Sequence, residues 1–349
     1  MKILAIETSC DETAVAVIEA SGGLQDPNFK ILGNSLITQI DIHKEFGGVV
    51  PMLAKREHKK NLPILLKKTL EEAGLDPSKP SIDAVAVTSG PGLEPALWEG
   101  ILFAEELGHK WDMPIFPINH MEGHVYSPLY ESLPKLTFPA LALLVSGGHT
   151  ELVYIKDFGT YEIIGKTLDD AVGEAFDKVA RLLGLEYPGG PKVSLLASSH
   201  RQKGLIPSFE FPRPMIHSKD LNFSYSGLKT AVLYKLKDQV VTPEVQEETA
   251  RAFEDAAIEV LVQKTRKALD EYDVRTLIVA GGVSQNTYLR SELQKLANER
   301  MDLTLLLPEK SLTTDNAVMI GIAAYIRIEK GDTGTREKIK ANGNLKLGA

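Results

Sequence analysis

The chain has 349 residues, 43% hydrophobic and 25% charged, with a formal net charge of -8. This is the make-up of a globular protein with a sizeable core, long enough for two lobes. The acidic balance argues against a protein that coats nucleic acid generally, though it leaves room for a local basic patch. The single cysteine, Cys10, excludes a disulfide within the chain and fits a cytoplasmic location. The opening "MKILAIETSC" carries one lysine and a short apolar run cut by Glu7, unlike a signal peptide. No apolar run approaches the roughly 20 residues of a membrane-spanning helix, so no membrane partner is expected.

In chain order, "KILAIETS" reads as a buried strand, and "DETAVAVIEA" returns as a second strand after a turn. "AKREHKKNLPILLKK" (54–68) is a basic, helix-like stretch. "DAVAVTSGPGLEPALWEGILFAEEL" (83–107) joins a strand, a glycine turn and an amphipathic helix. "PALALLVSGGHTELVYIKD" (139–157) repeats the opening hairpin, and "RTLIVAGGVSQNTYLRSELQKLA" (275–297) repeats the strand–glycine–helix unit. Two echoes in the same order predict two related α/β lobes around a cleft. The first is expected over residues 1–130, completed by a helix near 320–340, and the second over 131–320 with an insertion at about 195–272. Within that insertion, 204–227 reads as a proline-containing loop packed by its aromatics. A helix is expected over 243–272, with Pro243 in its first turn. "DDAVGEAFDKVARLLGLEYPGGPKV" (169–193) predicts an acidic helix followed by a tight Pro-Gly-Gly turn. The polar end, "TREKIKANGNLKLGA", is expected to fray.

A cleft between such lobes suits a nucleotide. Small residues let backbone N–H groups approach an anion, and four turns qualify: "ETSCDET" (7–13), "SGPG" (89–92), "VSGGHT" (145–150) and "AGGVSQN" (280–286). No P-loop motif occurs. In "NHMEGHVY", His120 and His124 fall four apart, so on a helix they can share one metal ion. An isolated pair of this kind more often comprises a helix cap and a core or surface residue. The zincin protease pattern H-E-x-x-H is not met, because Glu122 sits at the middle position. "SLTTDNAVMIG" offers Asp315 as a third ligand or as a helix N-cap. Asp170, Glu174, Asp177 and Lys178 are either surface ion pairs or, for a carboxylate facing a cleft, acceptors for ribose hydroxyls. Lys55, Arg56, Lys59 and Lys60 form the best nucleic-acid patch of the chain, with solvated helix surface as the plainer alternative.

From residue 1 to about 325, "IETSCDET", "GGVVPMLAKREH", "SGPGL", "NHMEGH", "LLVSGGHTEL", "DDAVGEAFDKVARLLGLEYPGGP", "FPRPM", "FSYSGLKTAV", "ARAFEDA", "AGGVSQN" and "TDNAVMI" follow one another as in the TsaD family, which the chain therefore resembles. The family comprises bacterial tRNA threonylcarbamoyltransferases. The resemblance implies the two-lobed actin-like ATPase (ASKHA) fold shared with Hsp70 and sugar kinases. It implies transfer of threonylcarbamoyl from threonylcarbamoyl-AMP to N6 of adenosine 37 in tRNAs reading ANN codons. It implies one divalent metal, iron first and zinc second, on His120, His124 and Asp315. It places adenine-nucleotide contacts at Leu144, Val145, Ser146, Gly147, Gly148, Asp177, Gly190 and Asn286, where ATP or ADP can also sit. Asp11 and Glu12 are the candidates for positioning the adenosine amine. The partners implied are tRNA, a TsaB-like paralogue and a TsaE-like ATPase, with a homodimer of the isolated chain as a further option. Asn119 stands where many bacterial members carry a histidine. The competing readings are an actin-fold small-molecule kinase, which has no use for the histidine pair, and a nucleotide-gated scaffold without transferase activity.

Overall fold

The computed structural model describes residues 1–130 and 135–348. They form two compact units, Met1–Lys135 with Pro308–Ala349, and Leu136–Leu307.

The first unit opens with β1 (Lys2–Glu7), β2 (Glu12–Ser21) and β3 (Asn28–Thr38). These apolar runs pair antiparallel, β1 with β2 and β2 with β3. A short α1 (Ile40–His43) leads to α2 (Pro51–Glu72), which starts on Pro51, where a missing N–H does no harm. Next come β4 (Ala84–Gly90), α3 (Glu94–Trp111), β5 (Ile115–Asn119) and α4 (His120–Tyr126). β4 joins β1 and β5 joins β4, both parallel, giving the order β3-β2-β1-β4-β5. Leu4, Ile6, Val85, Val87, Leu97 and Ile101 form the centre of this unit's core.

The second unit repeats the plan. Its strands are β6 (Ala140–Val145), β7 (Thr150–Asp157), β8 (Thr160–Lys166), β9 (Thr276–Ala280) and β10 (Thr304–Leu306), in the order β10-β9-β6-β7-β8. β6, β7 and β8 pair antiparallel, while β9 on β6 and β10 on β9 are parallel. The hairpin and strand–glycine–helix echoes are therefore one topology used twice. Each hairpin also gains a third strand, β3 or β8, that the sequence reading did not separate. Their mixed burial marks them as sheet edges, where the apolar pattern is weak.

Helices of this unit are α5 (Val172–Leu182), α6 (Gly189–Gln202), α7 (Ser226–Leu236), α8 (Pro243–Glu271) and α9 (Thr287–Asn298). The Pro188-Gly189-Gly190 segment is not a free turn. Pro188 is the N-cap of α6 and the glycines are its first residues. A bare Gly189 is required there, since a Cβ would lie 2.2 Å from Ala180 Cβ on α5. The loop before α7 buries Phe211, Phe223 and Tyr225, as its aromatics suggested.

The chain then returns to the first unit through α10 (Ala317–Glu329), which is almost wholly buried. The expected frayed end is instead ordered over its described residues, 335–348, Ala349 lying outside them. Thr335 exchanges backbone hydrogen bonds with Ile115, Asn342 N donates to Ser89 O, and Ile339 and Leu347 are buried. Backbone pairing and two apolar anchors outweigh the polar composition of the tail.

Candidate metal centre and nucleotide-binding loops

β5 delivers the chain to α4, and Asn119 caps that helix by accepting from the Met121 and Glu122 amides. His120 and His124 lie one turn apart on it, with ring centroids 4.7 Å apart. Asp315 precedes α10, whose N-cap is the neighbouring Asn316 rather than Asp315. Asn316 also donates to Leu312 O and Thr314 O, which fixes the loop carrying Asp315. Gly123 lets α4 and α10 approach, since a Cβ there would lie 3.0 Å from Ile320 Cδ1 and 3.1 Å from Met319 Cγ. The result brings Asp315 Oδ1 to 3.3 Å from His120 Nε2 and 3.1 Å from His124 Nε2. All three ligand atoms lie within 4.8 Å of one another.

Behind them stands Glu7, which the sequence reading did not name as functional. Its Oε2 is 3.0 Å from His120 Nδ1 and accepts from Thr88 Oγ1 at 2.6 Å. Ser9 Oγ is 3.2 Å from the same His120 nitrogen. The signal available in the sequence is a glutamate closing an apolar run, and the structure buries that carboxylate fully. Burial opposes charge throughout this cluster, yet pairing prevails. The Glu7 and Asp315 carboxyls are held below the usual carboxylate range by His120, with His124 also acting on Asp315. Asp315 and Glu7 in turn raise His120 well above an ordinary histidine. A proton on His120 thus supplies the positive charge that the two carboxylates call for. A divalent cation on the two Nε2 atoms and Asp315 would supply it equally, with Glu7 accepting from the other nitrogen of His120. Two imidazoles and one carboxylate with positions left open suit iron(II) or a catalytic zinc.

Asp11 is buried and Glu12, at the start of β2, is partly so. Burial pushes the Glu12 carboxyl up to about 10, and the Asp11 and Asp315 carboxylates add to this. The turn before them is tied down by Leu93 N donating to Ser9 O and by His58 Nε2 at 3.0 Å from Cys10 O. The "SGPG" turn is not open to a phosphate. Its Gly92 amide donates to Gly343 O, and Ser89, Gly90 and Pro91 are buried.

In the second unit, Leu144 and Val145 end β6 wholly buried and paired in the sheet, so neither offers an exposed group. Ser146 Oγ accepts from the Gly148 and His149 amides. Gly147 and Gly148 are exposed, with nothing within 4 Å of an added Cβ. A Cβ on Gly281, at φ +91°, would lie 2.5 Å from Val145 O, and one on Gly173 would lie 2.6 Å from Ser146 O. The 145–148 turn, the 281–282 segment and the start of α5 therefore meet. Asp177 Oδ1 accepts from the Gly189 and Gly190 amides at 2.8 and 3.1 Å. Burial raises its carboxyl despite those bonds. Asn286 caps α9 through Leu289 N and donates to Ser194 Oγ on α6 and to the buried Glu254. Asp177, Gly190 and Asn286 thus converge on α6, and each already has a structural task. Lys178 pairs with Asp170 at 2.6 Å and Glu174 at 2.9 Å, which is the surface-pair reading of that stretch.

The basic stretch lies on α2. Lys55 is 3.6 Å from Glu99, while Arg56 and Lys60 each lie 3.3 Å from Glu57. Lys59 is exposed and pairs with no acid among the described residues. Two carboxylates, Glu57 and Glu99, stand against the four cations, so half of the patch's charge is offset.

The TsaD family model, described as tRNA N6-adenosine threonylcarbamoyltransferase, matches residues 30–322. A protein of that name from Thermosipho africanus (strain TCF52B) is 46% identical over 347 residues, covering 99% of this chain and 100% of its own. Another from Nitrosospira multiformis is 46% identical over 333 residues, covering 95% and 93%. Among solved structures, full-length HypF in its phosphate- and nucleotide-bound form matches with TM-score 0.59 at 13% identity, over 96% of this chain and 47% of that one. The activator of the 2-hydroxyisocaproyl-CoA dehydratase from Clostridium difficile with bound ADPNP gives 0.52 at 10% identity, over 95% of each. At such identities the likeness concerns the fold, the actin-like ASKHA architecture. The sequence relatives decide the family, and the chain belongs to the tRNA N6-adenosine threonylcarbamoyltransferase family, TsaD.

Proposed function

We propose that the chain transfers the threonylcarbamoyl group of threonylcarbamoyl-AMP to N6 of adenosine 37 in tRNAs that read ANN codons. The observation that carries this is the cluster of His120, His124 and Asp315, backed by Glu7, in a chain related end to end to threonylcarbamoyltransferases.

In the reaction an N–C bond forms between the adenosine amine and the carbamoyl carbon. The carbamoyl C–O bond to AMP breaks, and one amine proton departs. His120, His124 and Asp315 would hold one divalent ion, iron in preference to zinc, which when bound would supply Lewis acidity toward the adenylate. Glu7 fixes the tautomer of His120, keeping its proton on Nδ1 and its Nε2 free to ligate. The exposed amides at Gly147 and Gly148 are suited to the adenylate's anionic group, as backbone donors near developing charge. Asp177 would accept from ribose hydroxyls through the oxygen not used on α6, with the base against Gly190 and Asn286 in the same site. Glu12, held protonated, can donate to the substrate, leaving Asp11 as the acceptor that orients the amine.

The exposed Lys59, with Lys55, Arg56 and Lys60 behind their acidic partners, supplies weak contact to tRNA. A TsaB-like paralogue and a TsaE-like ATPase would complete the system in the cytoplasm, a homodimer being the alternative assembly. The test is a reconstituted transfer. The purified chain, its accessory proteins, threonylcarbamoyl-AMP and unmodified ANN-reading tRNA should yield N6-threonylcarbamoyladenosine on nuclease digestion. Turnover of ATP onto a small alcohol, with no modified nucleoside formed, would support the kinase reading instead.

A further inference from the structure

The last residues of the chain run across the start of the metal-bearing helix. Asn342 N donates to Ser89 O at 2.9 Å, and Gly92 N donates to Gly343 O at 3.2 Å. Asn119 Nδ2 donates to Lys346 O at 3.0 Å. Leu347, the next residue, is buried. Gly90 and Asn119 are register partners on β4 and β5, so the tail crosses the ends of both strands. The crossing depends on a bare glycine, because a Cβ on Gly90, at φ +149°, would sit 2.0 Å from Asn342 O. Asn119 is therefore held from both sides. Its Oδ1 caps α4 through the Met121 and Glu122 amides, and its Nδ2 is fixed by the tail. The residue that follows it is His120.

We infer that the C-terminal segment 342–347 is a positioning strap for the metal centre, acting through the side chain of Asn119, its positioning residue. The strap fixes the Asn119 amide, the amide fixes the first turn of α4, and that turn sets where His120 and His124 point. Holding ligands before the ion arrives removes part of their ordering cost on binding, so the strap should appear as metal affinity. The inference rests on His120, His124 and Asp315 being the metal site.

The test uses the full-length protein and variants, with zinc alone as the probe, titrated in competition with a chromogenic chelator. Asn119→Ser keeps a good N-cap but cannot reach Lys346 O. It should weaken zinc about tenfold or more, the range seen when outer partners of ligands are removed. Deleting residues 342–349 should do the same. Combining the two should add nothing to the loss of zinc affinity, since both remove the Asn119–Lys346 contact through which the strap acts, whatever the deletion's other lost contacts cost in stability. Deleting only residues 348–349, which leaves Lys346 and Leu347 in place, should match the parent. Thermal melting of the zinc-free forms establishes that each is folded. If the long deletion fails to fold, Asn119→Ser carries the test alone. Parent-like zinc affinity in folded Asn119→Ser overturns the strap, as does additivity in the double variant or a loss from the 348–349 deletion. If the parent binds no zinc, or His124→Ala leaves binding intact, the metal-site reading fails instead.

Discussion

Replacing Glu7 by Gln alters one atom and should disable much of the metal centre. The side chain is fully buried, with Oε1 accepting from Ser9 N and Oε2 accepting from Thr88 Oγ1 and facing His120 Nδ1 at 3.0 Å. An amide cannot accept through its nitrogen, so one of the two ends loses its role. If the nitrogen faces His120, the imidazole must accept at Nδ1 and move its proton to Nε2, the atom that points to Asp315. That tautomer cannot ligate. If the amide flips, the Ser9 amide meets an N–H group inside a buried turn, and the outer partner is still no longer a carboxylate. Loss of such partners costs ten- to a hundredfold in metal affinity, about 1.4–2.7 kcal/mol. Chelator competition with zinc measures it, beside melting of the zinc-free protein. A Glu7→Gln protein that folds and binds zinc as tightly as the parent would refute the role assigned to Glu7.

Three further outcomes follow from the same geometry. His120 is raised well above an ordinary histidine, so zinc competes with a proton there and zinc affinity should climb as pH rises through that raised value. In the zinc-free protein the His120 contribution to stability is fully present below about pH 6.5 and is lost as pH rises through the folded value, so zinc-free melting should fall on the alkaline side while zinc-bound melting resists. A flat zinc affinity across that range contradicts the linkage. A Cβ added at Gly190 meets only Phe176 Cβ, at 3.7 Å, so Gly190→Val should fold yet fail to bind adenine nucleotide in a titration, whereas a Cβ at Gly189 clashes with Ala180, so Gly189→Ala should lose about 1–3 kcal/mol. Parent-like nucleotide affinity in Gly190→Val would remove the base from that helix start. Lys59→Ala should lower the salt slope of tRNA binding by about one unit, while Lys60→Ala, paired to Glu57, should lower it less. Equal slopes would show that the pairing on α2 does not govern contact.

Much of the architecture was legible because it is written in long apolar runs. β1, β4, β6 and β9 are buried along nearly their whole length, so each reads as a strand without help from its neighbours. Edge strands β3 and β8 were not separated, since partial burial leaves no clean alternation. Pro188-Gly189-Gly190 reads as a turn locally, and only the Asp177 carboxylate twelve residues earlier makes it a helix start. Likewise the tail "ANGNLKLGA" has disordered composition but is held by Ser89, Gly92 and Asn119, contacts that no local pattern encodes. In the site, the His120 and His124 pair was readable from helical spacing. Asp315 lies 191 residues from His124, so spacing could offer it only as one of two roles, and resemblance chose between them. Glu7 is not legible as functional, because a charge that ends an apolar strand reads equally well as the strand's boundary.

If this chain modifies adenosine 37 through the His120, His124 and Asp315 centre, tRNA from cells lacking that centre must show it. The most direct measurement is mass spectrometry of nucleosides from position 37 of ANN-reading tRNA in cells depleted of this protein. The depleted cells are supplied with either the parent chain or His124→Ala. Position 37 should carry unmodified adenosine after depletion, N6-threonylcarbamoyladenosine once the parent is supplied, and little or none with His124→Ala despite a folded, expressed protein. Modified adenosine persisting after depletion, or restored in full by His124→Ala, would contradict it.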